Sequence, residues 1–173
     1  MHISRRCFLG QTAGMVAASA LWPGLGASEP AISSATKIKV GACCLGLQQA
    51  KEAGLDGAEV GAGGAADVLH IAGEKTRMDY REQMKKAGIP ICSIMMGLLN
   101  GNPLASDPRG QKWLEQTVDA ARDLGAKNIL VAFFGKGDLL ANDKLKEADA
   151  DVVVARLKAV APRAREAGVI LAI

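Results

Sequence analysis

Aromatic side chains are scarce in this sequence. Three Phe, two Trp and one Tyr make up 3% of 173 residues. That excludes a base-stacking surface for single-stranded nucleic acid. An excess of one charge is missing too. The formal net charge is +3, from 21 basic and 18 acidic side chains. Arg5 and Arg6 lie in the first 28 residues, which hold no acid, so 19 basic stand against 18 acidic beyond them. No basic stripe remains to attract phosphate backbones or anionic lipid, and no nucleic-acid partner is expected. The four cysteines show no C-x-x-C spacing, which counts against a zinc or thioredoxin-like motif. Cys43, Cys44 and Cys92 are expected as small apolar core residues. Cys43 and Cys44, as neighbours on a strand, should point to opposite faces.

What is present suits one globular domain with a real core. Apolar residues make up 49% and charged residues 23%, an ordinary balance. The N-terminus is different. It reads "MHISRRCFLGQTAGMVAASALWPGLGASEP". Arg5 and Arg6, followed by Phe8 and Leu9, resemble the twin-arginine export signature. A moderately apolar stretch, roughly Ala13 to Trp22, follows and is too short and too rich in Gly and Ala to anchor stably in a bilayer. Residues 1–28 are read as an export signal and 29–36 as a linker. The resemblance implies passage through the twin-arginine translocase to the periplasm of a bacterium.

From Lys37 onward one unit recurs. An amphipathic segment ends in Gly, and a short apolar run follows. Gly54, Gly88, Gly125 and Gly168 close the four segments, before "LDGAEV", "IPICSIMM", "AKNILVAFF" and "VILAI". Glycine just past a helix accepts the left-handed conformation that ends it. Short apolar runs bounded this way suit strands covered on both faces. Strands are expected at 38–43, 57–61, 90–96, 128–134 and 169–173. Helices are expected near 46–53, 76–87, 108–124 and 147–167. Asp107 should cap the third helix, with Pro108 at its first position. Pro162 should kink the fourth or start a new last turn.

Alternating strands and helices mean an α/β fold with parallel strands and right-handed crossovers. Two architectures fit: a complete five-stranded doubly wound sheet, or the first part of a TIM (β/α)8 barrel. A full barrel needs roughly 200 residues or more. "GAGGAA", Gly61 to Ala66, matches G-x-G-x-x-A after a strand and gives the doubly wound reading a foothold as a nucleotide- or ligand-binding module.

The βα units point the other way. "AGLDGAEVG", "LASDPRGQKWLEQTVDAARDLGAKNILVAFFG" and "ARLKAVAPRAREAGVILAI" resemble, in order, the second strand, the third helix with fourth strand, and the fourth helix with fifth strand of the sugar phosphate isomerase/epimerase family, the xylose isomerase-like barrels. Residues 37–173 are then the N-terminal part of such a barrel, with about five strands and four helices. The resemblance implies a divalent metal, Mn²⁺ or similar, that polarises a sugar, and carboxylates that move a proton through an enediolate. In the family the first metal ligand is a glutamate directly after the fifth strand, and the others come later. The expectation is therefore a chain without the metal-binding half, inactive alone, holding no metal, and free to self-associate through unpaired barrel edges. A sugar dehydratase, a lyase or an endonuclease-type barrel uses the same scaffold.

The expected small-molecule partner is a sugar or sugar phosphate, met at the C-terminal ends of the strands. Glu59 is a charged residue in the apolar second strand, either a hydrogen-bond acceptor for the substrate or a salt-bridged rim residue. His70 follows "GAGGAAD". Lys136 and Asp138 lie in "FFGKGDL" after the fourth strand, placed to meet a hydroxyl or phosphate. "MGLLNGNPLASDPRG" after the third strand has the length and composition of a lid.

Overall fold

The computed structural model describes residues 38–173, and the export signature lies outside them. Five parallel strands form one sheet: β1 (Gly41–Ala42), β2 (Gly57–Gly61), β3 (Ile91–Met95), β4 (Asn128–Leu130) and β7 (Ile170–Ala172). Four helices alternate with them: α1 (Leu47–Glu52), α2 (Glu74–Ala87), α3 (Gly110–Leu124) and α4 (Glu147–Ala167). A small antiparallel hairpin, β5 (Leu140–Ala141) and β6 (Lys144–Leu145), precedes α4. Sequence reading missed this hairpin. Its signal was Asn142-Asp143, both at positive φ as a tight hairpin turn requires.

A glycine at positive φ follows each of the four helices, as expected, with Gly54 after α1 at 76°. Gly88, Gly125 and Gly168 end α2, α3 and α4 in the left-handed conformation. Two strands, the edge strand β1 and the interior strand β4, are much shorter than expected. β1 keeps two residues of six, and β4 keeps three of seven. α4 runs through Pro162 without a break. Asp107 does act on the backbone ahead of α3: its carboxylate accepts from the Arg109 N–H at 2.9 Å, and the helix proper starts at Gly110.

The strand order is β1-β2-β3-β4-β7, which is the order of the sequence. A doubly wound sheet reverses direction at a switch point, and this one never does. The doubly wound alternative is therefore set aside. Each right-handed crossover steps the same way, so the helices collect on one face. Consecutive helices pack together along that layer, α1 on α2, α2 on α3 and α3 on α4. The core lies between helices and sheet. Ile94 and Ile129, register partners on β3 and β4, are fully buried there beside Trp113, Leu114 and Val118 of α3.

One irregularity sets up the opposite face. Ala58 pairs with Ile91, but Glu59 pairs with Ser93, so Cys92 is an extra residue in β3. A bulge of this kind re-aims side chains. It turns Cys92 and Ser93 toward the face that also carries Glu59. Cys92 Sγ donates to the Ala58 carbonyl at 3.3 Å and fills the space where Gly41 and Gly57 have no side chains.

The segment after β3 is anchored to the rest of the fold. Leu99 and Leu104 are fully buried. The Arg156 guanidinium donates to the carbonyls of Leu104 and Asp107. Arg109 pairs with Asp107 at 2.8 Å, and this guanidinium holds the Asp107 carboxyl below the usual carboxylate range. A lowered carboxylate stabilises the fold fully above its ordinary pKa, and the contribution fades as pH falls through the lowered value. Asp107→Asn should therefore cost about 1–2 kcal/mol at neutral pH and flatten the acid limb of stability measured by urea unfolding. An equal cost at every pH contradicts this.

Candidate functional site

A cavity of about 500 Å³ opens at the C-terminal ends of β1, β2 and β3. Glu59, Val60 and Gly61 of β2 and Met95 of β3 line it, with Cys43 to Gly46 on the bend after β1 and Leu47 at the start of α1. α2 supplies Thr76, Asp79, Tyr80 and Gln83. Those four positions follow i, i+3, i+4 and i+7, one polar stripe on a helix. Sequence reading missed all four, although the stripe was legible once the helix was placed. His70 completes the lining.

Glu59 sits half-buried and accepts a hydrogen bond from the Ser93 hydroxyl at 2.5 Å. Carboxylate and hydroxyl are register partners on adjacent strands, so the sheet itself fixes their contact. This carboxylate makes no ion pair among the described residues, and the salt-bridged rim reading does not describe it. Glu59 also lines the cavity, where a carboxylate is a fitting acceptor for a ligand hydroxyl. Burial pushes the Tyr80 phenol upward. It therefore stays protonated at neutral pH and can donate.

His70 opens a short 3-10 turn, His70–Ala72, and its Nε2 lies 3.5 Å from the Thr76 hydroxyl. The loop before it is held from below. Trp113 Nε1 donates to the Ala66 carbonyl at 2.7 Å, and Gln116 bonds the Leu69 N–H at 2.8 Å and the Asp67 carbonyl at 2.9 Å. Arg109 stacks over the Trp113 ring at 4.5 Å and donates to the Ala65 carbonyl. The glycines of "GAGGAA" therefore serve a turn pinned to α3. The helix that follows begins only at Glu74, so no helix N-terminus meets this loop as a dinucleotide site requires.

Lys136 and Asp138 stand apart from the cavity lining, on the turn after β4. The Asp138 carboxylate accepts from the Leu140 N–H at 2.8 Å and starts the small hairpin. Lys136 is exposed. The structure thus joins Glu59 and His70 in one cavity and leaves Lys136 and Asp138 outside it.

Cys43 and Cys44 are exposed on the cavity wall, not buried in a core. β1 ends at Ala42, so strand alternation no longer governs them. Cys44 has φ of 62°, a conformation that places both thiols on the same cavity. The Cys43 thiol beside it is the main cause that pushes the Cys44 thiol up, with the Glu59 carboxylate adding to it. Among the described residues, no group of three or more His, Cys, Asp or Glu side chains is placed to hold a metal ion. Residues 38–173 do not fit a divalent-metal cage.

The family model for xylose isomerase-like TIM barrels matches residues 47–173. The chain belongs to that family. Solved structures agree on the fold. A 3-keto-D-glucoside 4-epimerase from E. coli shares 18% identity at a TM-score of 0.58, over 78% of this chain and 55% of its own. An L-ribulose 3-epimerase shares 23% at 0.52, over 78% and 48%. A D-psicose 3-epimerase shares 18% at 0.54, over 72% and 44%. The chain spans about half the length of these structures. No curated protein matches it by sequence.

Gly63, in the turn that leads to His70, has no room for a side chain. Its φ is 103°, and an added Cβ would lie 2.6 Å from the Cβ of His70. Gly63→Ala should cost about 1–3 kcal/mol in urea unfolding and shift the His70 ring resonances in a proton NMR spectrum. A neutral substitution with unchanged His70 signals contradicts this placement.

Proposed function

We propose that this chain supplies substrate-binding groups to an exported sugar isomerase or epimerase whose substrate is a polyhydroxy ketone. The observation that carries the reading is the cavity at the C-terminal ends of β1 to β3, where barrels of this fold bind ligands. Its lining includes the Glu59 carboxylate, the Tyr80 phenol, the Gln83 amide and the Thr76 hydroxyl. Such a set of acceptors and donors suits a sugar's hydroxyls. The lining has two carboxylates, Glu59 and Asp79, and no Lys or Arg. That favours a neutral sugar over a sugar phosphate.

The similar structures supply a chemical hint. A 3-keto-D-glucoside 4-epimerase, an L-ribulose 3-epimerase and a D-psicose 3-epimerase each invert a carbon next to a ketone. A proton on that carbon is removable because the resulting anion spreads onto oxygen as an enediolate. Returning the proton on the other face inverts the centre. In this reading Glu59, oriented by Ser93, accepts a hydrogen bond from a hydroxyl, and the α2 stripe fixes the ring of hydroxyls beside it. Residues 38–173 offer no metal cage. The chain by itself binds sugar without turning it over. β1 and β7 each pair on one side only among the described residues, and these open edges are where self-association would occur.

Calorimetric titration with L-ribulose and D-psicose tests the reading. Glu59→Gln should weaken binding about tenfold, equivalent to about 1.4 kcal/mol, and Tyr80→Phe should weaken it less. Chromatography of either sugar incubated with the chain and Mn²⁺ should show no epimer. Unchanged affinity in Glu59→Gln removes the site, and epimer formation overturns the assignment of chemistry to groups outside residues 38–173.

Export rests on Arg5, Arg6, Phe8 and Leu9. Among the described residues, no helix is long and apolar enough to cross a membrane. Residues 1–37 fused to a folded reporter should send it to the periplasm, and changing Arg5 and Arg6 together to Lys should keep it in the cytoplasm. Export that is indifferent to the pair contradicts the twin-arginine reading.

A further inference from the structure

Cys43 and Cys44 are consecutive, exposed, and on the wall of one cavity. The sugar reading uses neither of them. Two adjacent thiols on a strand diverge, but these share a side because Cys44 takes a left-handed φ of 62°. For a residue other than glycine, such a conformation is costly and persists only where its surroundings hold it. The third described thiol, on Cys92, differs in every respect. It is half-buried on the sheet face and donates to the Ala58 carbonyl.

We propose that Cys43 and Cys44 are a redox-sensitive modification site that closes into a vicinal disulfide by exchange with a small-molecule disulfide. The thiolate of one cysteine attacks the external disulfide, forms a mixed disulfide and expels one small thiolate. The thiolate of its neighbour then attacks the protein sulfur of that mixed disulfide and expels the second. The external disulfide is reduced to two thiols, the two protein thiols are oxidised, and their protons leave with the small thiols. Consecutive Cα atoms lie about 3.8 Å apart, below the usual disulfide range of about 4.4–6.8 Å. The bond is therefore strained and easily reduced, a switch and not a staple. It closes a ring at the bend that leads into α1 and stiffens one wall of the cavity. This inference is independent of the sugar reading, since it concerns only thiol chemistry at that wall.

Oxidised glutathione is the probe, applied to the full chain carrying Cys7→Ser, which leaves three cysteines. Titratable thiols should fall from three to one, and the peptide holding Cys43 and Cys44 should lose the mass of two hydrogens. A mild thiol reductant should restore both thiols. Cys43→Ser and Cys44→Ser, each made singly, should instead retain glutathione on the remaining cysteine, which also shows that these variants react without the partner thiol. Glutathione held on both cysteines at once, covalent dimers between chains, or three unreacted thiols would each overturn the proposal. Loss of the Cys92 thiol in place of the pair would do the same.

Discussion

Each parallel strand of this sheet pairs with the next one in the sequence, and the step is always in the same direction. That single constraint determines where everything else goes. Right-handed crossovers taken one way put α1 to α4 on one face. The core then forms between that layer and the buried side of the sheet, around Ile94, Ile129 and Trp113. The other face and the C-terminal strand ends are left uncovered by that helix layer. No switch-point crevice exists, so the nucleotide-binding geometry of doubly wound sheets has no place to form.

Within that frame the β3 bulge and the α2 stripe act together. The bulge brings Ser93 level with Glu59 and orients the carboxylate from below. The stripe of Thr76, Asp79, Tyr80 and Gln83 faces it from the side. Much of the remaining polar bonding is scaffold. Trp113, Gln116 and Arg109 hold the loop that delivers His70, and Arg156 ties down the segment after β3. The chemistry of the site and the charges that stabilise the fold are thus largely separate sets of residues.

Much of this was legible in the sequence. The glycines that end α2, α3 and α4 fixed those boundaries, because few other residues tolerate the left-handed conformation. β2 and α4 fall where the apolar pattern put them. Glu59 stood out as a charge inside an apolar strand. What was not legible depended on tertiary context. The strand length of β1 and β4 depends on where neighbours stop pairing. Cys43 and Cys44 looked like core residues because their exposure follows from a bend that composition does not signal. Leu99 and Leu104 anchor the segment after β3, and no rule of loop composition separates an anchored apolar residue from a mobile one. Lys136 and Asp138 were chosen by position after a strand, but a position at the rim does not say which way the turn carries a side chain.

The central claim is that the cavity beside Glu59 is where a sugar binds. A crystal structure of the chain soaked with L-ribulose tests it most directly. The account predicts sugar density at the ends of β1 to β3, with a hydroxyl in hydrogen-bond reach of Glu59 and another beside the α2 stripe. Density confined to other surfaces, or an empty cavity at saturating sugar, would contradict it.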